Sequence, residues 1–156
     1  MTFPTVSGSN LLRQKLTLPQ DLQGELNLVF IPFQQWQQSE VDSWITLAGK
    51  LEETYDGLFY YELPTIQSKG VIYKTFINEG MRAGIPNPKS RERTITLYLD
   101  KPEFRAALDM LDEEHIYILL IDRQGNEFFR ARGPYSLESE AALRPTLEQM
   151  IKKEPG

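Results

Sequence analysis

Apolar and polar residues follow one another along the chain in patterns that predict strands and helices in turn. Residues 26–33 are almost all apolar and are flanked by polar residues, which is typical of a buried strand. After a polar spacer at residues 34–40, apolar residues recur at steps of three and four as far as Tyr55. This spacing predicts a helix that packs one face against a sheet, with Ser39 as its N-cap and Asp56-Gly57 at its end.

The rest of the chain continues in the same way. An edge strand at residues 16–19 precedes the pattern just described. Further strands are predicted at residues 58–63, 94–99, 116–122 and 127–132, and further helices at residues 67–84, after Asp100 and after Ser136. Two prolines within residues 85–90 exclude regular structure there, and Gly125 indicates a hairpin turn at residues 123–126.

The inner faces of the last two helices can also be predicted from apolar spacing. In the short helix they are Phe104, Ala107 and Leu108. In the last helix they are Ala142, Leu143, Leu147, Met150 and Ile151. Pro145 falls within that last pattern and implies either a late start to the helix or a kink.

This order of elements predicts an α/β fold. Alternating strands and helices favour parallel strands joined by right-handed crossovers, and the hairpin near the C-terminus adds antiparallel strands. We therefore expect a mixed sheet with helices on both faces and a C-terminal antiparallel hairpin followed by a helix. Residues 1–15 show little periodicity and are expected to be loosely ordered, and residues 16–156 are expected to form a single domain.

Composition narrows the classes of function. The chain has 156 residues, a net charge of −5 and no cysteine. The negative charge argues against general affinity for nucleic acid or for anionic membranes. No apolar run approaches the roughly 20 residues of a membrane span, and the N-terminus lacks the pattern of a signal peptide. A cytoplasmic protein is expected, without membrane insertion and with its oligomeric state left open.

Two passages resemble the thioredoxin-like superfamily. One is the approach to the first long helix at residues 22–30, and the other is the apolar strand, Asp, Gly-containing turn and return strand at residues 118–130. Within that superfamily the chain resembles the mitochondrial ATP-synthase assembly factor family. The matching features are Ser43-Trp44, a strand at residues 91–99 and the ending Arg130-Ala131-Arg132-Gly133. The resemblance implies a thioredoxin-like fold and a non-redox chaperone for a membrane subunit.

Both halves of a redox site are missing. Redox relatives carry Cys-x-x-Cys near residues 34–39, where this chain has Gln, Gln, Trp, Gln, Gln and Ser. They also carry a cis-proline before the hairpin, where residues 111–115 contain no proline. Thiol exchange requires a thiolate, so thiol–disulfide oxidoreductase and peroxiredoxin activities are excluded.

Other candidate chemistry has simpler interpretations. His115 follows three acidic residues, but four consecutive residues cannot converge on one point, and a solvated turn explains them. Ser39 lacks a nearby base, and N-capping explains it. Two alternating basic sets, taken as strand faces, could bind an anionic partner or simply solvate an edge strand: Lys89, Arg91 and Arg93, and Arg130 and Arg132. We predict no catalytic set, metal site or cofactor.

The junction between the first strand and the first helix is the predicted binding site. It offers Trp36 among neutral amides, at the place where relatives bind polypeptides, and an aromatic anchor in a polar rim is common at protein interfaces. The candidate residues are Gln34, Gln35, Trp36, Gln37, Glu114 and His115. The alternative is that Trp36 packs beneath the loop.

Two functions follow from these observations. The first is a redox-inactive thioredoxin-like protein that binds another protein, such as a subunit of a membrane complex, as an assembly or chaperone-type factor. The second is a small-ligand-binding module or non-thiol enzyme that uses an unidentified pocket.

Overall fold

The computed structural model of the chain describes residues 2–68 and 87–151. The predicted helix at residues 67–84 therefore lies almost wholly outside the described residues. The strands are β1 (Val6–Asn10), β2 (Lys15–Leu18), β3 (Leu26–Ile31), β4 (Leu58–Glu62), β5 (Thr65–Gln67), β6 (Ile95–Leu99), β7 (Tyr117–Ile121) and β8 (Glu127–Arg132). The α-helices are α1 (Gln38–Thr54), α2 (Pro88–Arg93), α3 (Lys101–Ala107) and α4 (Leu137–Met150), and Gln35–Gln37 forms a 3-10 turn before α1.

The apolar strand β3 lies at the centre of a mixed four-stranded sheet of order β4-β3-β7-β8. It pairs in parallel with β4 and antiparallel with β7, which continues into the antiparallel hairpin with β8. A second sheet has the order β2-β1-β6-β5, in which only β5 and β6 are parallel. The predicted mixed sheet with a C-terminal hairpin and helix is confirmed.

The two sheets are joined where the chain passes from β4 to β5. The Leu63 N–H donates to the Phe30 carbonyl at 2.7 Å and the Thr65 N–H donates to the Pro32 carbonyl at 2.9 Å, so the β3–β4 ladder extends past β4. On the other side, the Leu97 N–H donates to the Pro64 carbonyl at 2.8 Å. Residues 63–65 are therefore bonded to the chain of β3 on one side and to β6 of the second sheet on the other.

Alternate residues of β3 and β7 point to opposite faces, and helices cover both faces. On one face Leu28, Phe30 and Ile118 pack with Trp44 of α1 and Leu143 of α4. On the other face another apolar set packs together with α3 and the second sheet. Its members include Val29, Ile31, Leu119, Ile121, Phe104 and Leu108. A buried aliphatic or aromatic side chain of this size contributes roughly 1.5–3 kcal/mol, so these two clusters hold the central sheet between its helices.

The N-terminal segment is more ordered than the sequence predicts. Val6–Asn10 forms β1, which pairs with β2 on one side and with β6 on the other, and Phe3 is buried with its ring against Phe104. The expectation of loose order is therefore wrong for these residues, because pairing on both edges compensates for weak periodicity. β2 is an edge strand, as predicted.

The proline-containing segment before β6 was predicted wrongly. Pro88–Arg93 is helical, and the Asn87 side chain caps it by accepting from the N–H groups of Lys89 and Ser90. Pro88 occupies the first helical turn, where its missing N–H costs nothing. The basic residues at 89, 91 and 93 therefore do not form a strand face.

The ends and faces of other helices also differ from the predictions. Ser39 is not an N-cap, since α1 begins at Gln38 directly after the 3-10 turn. α4 begins at Leu137, capped by Ser136 as predicted, so the late start that Pro145 suggested is wrong. Three residues assigned to inner faces are exposed: Ala107, Ala142 and Met150.

Candidate functional site

Two loops meet at one end of the central sheet. The junction loop, residues 32–37, leaves β3 after Ile31, and the approach loop, residues 108–116, enters β7 at Tyr117. Ile31 and Tyr117 are paired across the antiparallel β3–β7 ladder. The ladder therefore brings the two loops together although about 75 residues of chain separate them.

Gln37 fastens the junction loop to the approach loop. Its side chain is fully buried, and its Oε1 accepts from the N–H groups of Phe33 at 2.8 Å and Gln34 at 3.3 Å. Its Nε2 donates to the main-chain carbonyl of Glu113 at 2.5 Å. The amide thus supplies acceptor and donor at once, which satisfies polar backbone groups that burial would otherwise leave unpaired.

Glu113 is a second fastening point. Its carboxylate accepts from Gln34 Nε2 at 2.8 Å, Lys101 Nζ at 2.9 Å and Arg105 Nε at 3.1 Å. Lys101 also donates to the Phe33 carbonyl at 2.8 Å. Charge-assisted hydrogen bonds of this kind are stronger than neutral ones, so Glu113 holds the junction loop, the approach loop and α3 in one arrangement.

Glu40 and His115 form a third connection. Glu40 lies in the first turn of α1 and is 7% exposed. One of its carboxylate oxygens accepts from the Ile116 N–H at 3.0 Å, and the other lies 2.7 Å from His115 Nδ1. The negative carboxylate is also favoured by the positive end of the α1 dipole.

Trp36 projects from this braced end of the sheet. Its side chain is 57% exposed, and its ring meets the His115 ring edge-on, with 6.4 Å between ring centroids. The alternative in which Trp36 packs beneath the loop is therefore wrong. Ser39, which was expected to cap the helix, instead donates from its hydroxyl to the Trp36 carbonyl at 3.2 Å.

The structure brings together part of the predicted binding site. Trp36 and His115 are in contact, whereas Gln34 and Gln37 bind Glu113, which is not among the predicted residues. Gln35 and Glu114 are exposed on the same two loops. The binding role of all six residues stays a prediction.

The acidic run before His115 is more than a solvated turn. The four residues do not converge, as expected, but Glu113 and His115 each have partners on other elements. Asp112 pairs with Arg132, and the pKa of its carboxyl is lowered first by the hydrogen bond from the Glu114 N–H and then by Arg132. Glu40 could have been suspected from sequence, because it continues the inward positions of Trp44, Ala48 and Leu51 one turn earlier.

The basic residues of the two predicted sets are mostly paired. Arg93 is buried, binds Glu52 and stacks 4.8 Å over the Phe59 ring. Arg130 pairs with Glu127 at 2.7 Å. These contacts favour a structural role over binding of an anionic partner.

A separate open pocket of about 370 Å³ lies beside α1, with Glu62 and Asp42 among its lining residues. Burial, together with the nearby Asp42 carboxylate, raises the pKa of Glu62 to about 7, against a hydrogen bond from Gln38 that lowers it. Among residues 2–68 and 87–151 no group of three or more acidic or histidine side chains is placed to hold a metal. In the same part of the chain, no helix has both the length and the apolar character needed to cross a bilayer.

Comparisons with known proteins agree with the fold. The sequence model described as ATP10 protein matches residues 1–133. A search of curated proteins gives no significant match.

Several solved structures resemble the chain over nearly its whole length. Arabidopsis thaliana ScoI with copper bound superimposes with a TM-score of 0.62 at 11% identity, covering 96% of this chain and 99% of that one. The exposed lipoprotein thioredoxin Etrx1 of Streptococcus pneumoniae gives 0.58 at 12% identity, covering 94% and 100%. An uncharacterized conserved protein of Geobacillus kaustophilus gives 0.61 at 17% identity, covering 99% and 85%. At these identities the likeness shows the fold alone, and that fold is thioredoxin-like.

Proposed function

The chain belongs to the ATP10 protein family, an ATP-synthase assembly family, and from this premise we propose that it is a redox-inactive protein-binding factor. Its partner in this proposal is a polypeptide of a membrane complex that is being assembled, with ATP-synthase subunits as the first candidates. The absence of cysteine from the sequence excludes thiol chemistry at the end of the sheet where redox relatives carry it.

One observation carries the proposal. Trp36 is 57% exposed at the end of the sheet, on loops that Gln37, Glu113 and Glu40 hold in place. A large aromatic side chain gains nothing from water, and such residues are enriched among those that dominate binding at interfaces. A braced loop also loses little conformational freedom when a partner binds.

The proposal can be tested by crosslinking and affinity purification of the tagged chain, with detection of ATP-synthase subunits by specific antibodies. Wild type is compared with Trp36→Ala and with Phe128→Ala, which removes another partly exposed aromatic side chain on β8. We expect Trp36→Ala to reduce recovery of a subunit at least about tenfold, as loss of an interface anchor does, and Phe128→Ala to leave it unchanged. Recovery of no subunit, or equal recovery with all three proteins, would contradict the proposal.

A second candidate function is small-ligand binding at the pocket beside α1. The observation that favours it is the raised pKa of Glu62 among the lining residues, since perturbed carboxyl groups in pockets are over-represented at functional sites. A thermal-shift screen of small amines and metabolite-like cations tests it. A ligand that stabilises wild type but not Glu62→Gln would support this candidate. A screen without hits would count against it and leave protein binding as the remaining candidate.

A further inference from the structure

We propose that Glu40 is a positioning residue that keeps the proton of neutral His115 on Nδ1, so that Nε2 faces outward beside Trp36 as a hydrogen-bond acceptor. The consequence is a specificity rule for the partner. It is a polypeptide segment that places an apolar side chain against Trp36 and an N–H or O–H donor at His115 Nε2. The inference rests on the proposed function, because it names the chemistry of the same binding surface.

The tautomer follows from the two bonds of the Glu40 carboxylate. Oε1 accepts from the Ile116 N–H at 3.0 Å and Oε2 lies 2.7 Å from His115 Nδ1. An ionised carboxylate has no hydrogen to donate, so the hydrogen between Oε2 and Nδ1 belongs to the imidazole. In the neutral ring the lone pair then lies on Nε2.

The carboxylate is itself fixed, so the ring orientation is fixed as well. Glu40 is buried in the first turn of α1, next to the positive end of the helix dipole. The Ile116 N–H that it binds lies immediately before β7, which pairs with β3 in the central sheet. A buried carboxylate whose other oxygen is bound to the main chain leaves the imidazole little freedom to turn over, in the way that outer carboxylates orient histidines in other sites.

Nε2 belongs to a half-exposed ring that meets the Trp36 ring. The His115 side chain is 46% exposed, and Nε2 makes no hydrogen bond within residues 2–68 and 87–151. The His115 and Trp36 rings meet edge-on. An apolar contact and an acceptor therefore lie side by side, which suits a polypeptide better than a purely apolar surface would.

The tautomer can be measured without any partner. His115 is the only histidine, so the two imidazole nitrogens can be assigned directly in a long-range proton–nitrogen NMR spectrum of the whole chain. With the ring neutral, we expect Nε2 to show the shift of an unprotonated nitrogen in wild type. In Glu40→Gln the amide oxygen keeps the Ile116 N–H, its NH₂ group then faces Nδ1, and the tautomer should reverse. A wild-type Nε2–H tautomer, or no change in Glu40→Gln, overturns the inference.

Binding is measured on an array of overlapping peptides that cover the ATP-synthase subunits. For peptides that bind wild type, we expect Glu40→Gln to weaken binding about tenfold, since it replaces the acceptor at Nε2 by a donor. His115→Phe, which keeps a ring but has no nitrogen, should weaken binding similarly and provides the test if Glu40→Gln folds poorly. Glu53→Gln, on an exposed side chain near the other end of α1, should bind as wild type does.

A substituted peptide identifies the hydrogen bond itself. When the donor of a binding peptide is methylated, wild type and Glu40→Gln should bind it equally. If Trp36→Ala weakens binding but neither Glu40→Gln nor His115→Phe does, the specificity rule fails while the proposed function stands. If no peptide binds wild type, or Trp36→Ala binds fully, the proposed function fails and the specificity rule fails with it.

Discussion

The two tryptophans of this chain lie in opposite environments. Trp44 is fully buried, donates its Nε1–H to the Gly133 carbonyl at 3.0 Å and contacts the rings of Phe30 and Tyr135. Trp36 contacts only the edge of His115 among the aromatic rings of the described residues. The same residue type therefore serves the core at one position and is available to a partner at the other.

The first prediction compares these two residues. Trp36→Ala should change the free energy of unfolding by less than about 0.5 kcal/mol, as substitutions at exposed sites usually do. Trp44→Ala should lower it by about 3–5 kcal/mol, since it removes a buried aromatic and leaves a cavity. Urea unfolding followed by circular dichroism measures both values. A loss of roughly 3 kcal/mol in Trp36→Ala would make Trp36 a core residue and remove the main support for the binding site.

The second prediction concerns Glu62. Burial and the nearby Asp42 carboxylate raise its pKa to about 7. Because this pKa is above that of the unfolded chain, the folded protein binds more protons between the two values, and stability is lost as pH rises through about 7. Glu62→Gln should therefore be more stable than wild type at pH 8 by about 2 kcal/mol and nearly equal to it at pH 5. Urea unfolding at the two pH values measures the difference.

The control for this prediction is Glu53→Gln, a carboxyl on the exposed side of α1. It should change the free energy of unfolding by less than about 0.5 kcal/mol at either pH. A gain for Glu62→Gln that is the same at pH 5 and pH 8 would show that charge burial is not its cause.

At the scale of elements, the periodicity of apolar residues predicted the strands and helices that pack into the two apolar clusters. β3, α1 and β7 were predicted within a few residues because their apolar spacing is regular, and β8 was predicted as the return strand after the Gly125 turn. Two prolines within residues 85–90 predict irregular structure where α2 lies, because periodicity alone does not distinguish a helix-breaking proline from one in the first turn, which a helix tolerates. β5 has only three residues, too few for a pattern.

The candidate site was predictable only in part, for a related reason. The fold resemblance brings the two loops to one end of the sheet, where the rings of Trp36 and His115 meet. The partners of Gln37 and Glu40 on the approach loop lie 75 or 76 residues away along the chain. No local pattern specifies such pairs, and they depend on side-chain geometry that only the folded structure provides.

The third prediction tests the fastening of the junction loop. Gln37→Leu keeps most of the buried volume but leaves the Phe33 N–H and the Glu113 carbonyl without their partners. Each unpaired buried group costs about 1–3 kcal/mol, so we expect a loss of about 2 kcal/mol or more in the free energy of unfolding. Gln35→Leu, two residues earlier and exposed, should cost less than about 0.5 kcal/mol. Equal stability of the two variants in urea unfolding would show that the amide does not brace the loop.

For the whole molecule, the N-terminal strands are integrated with the central sheet. The Phe3 N–H donates to the Gly125 carbonyl at 2.7 Å at the β7–β8 turn, while the Phe3 ring packs on α3. β1 itself pairs with β6, which is bound in turn to the β4–β5 connection. These links make us expect that the N-terminal segment unfolds together with the rest, in one cooperative transition.

The fourth prediction measures that integration at two glycines. A Cβ on Gly8 would lie 2.7 Å from Ile95 Cγ2 and 2.9 Å from Leu97 Cδ2, whereas a Cβ on Gly49 in α1 would meet nothing within 4 Å. Since Ile95 and Leu97 are both fully buried, they have little room to move, and Gly8→Ala should lower the free energy of unfolding by about 1–3 kcal/mol. Gly49→Ala should raise it by up to about 1 kcal/mol, because alanine is the better helix former. Urea unfolding followed by circular dichroism and by tryptophan fluorescence measures both changes. A neutral Gly8→Ala, or a separate early transition in wild type, would show that β1 is only loosely attached to the sheet beside it.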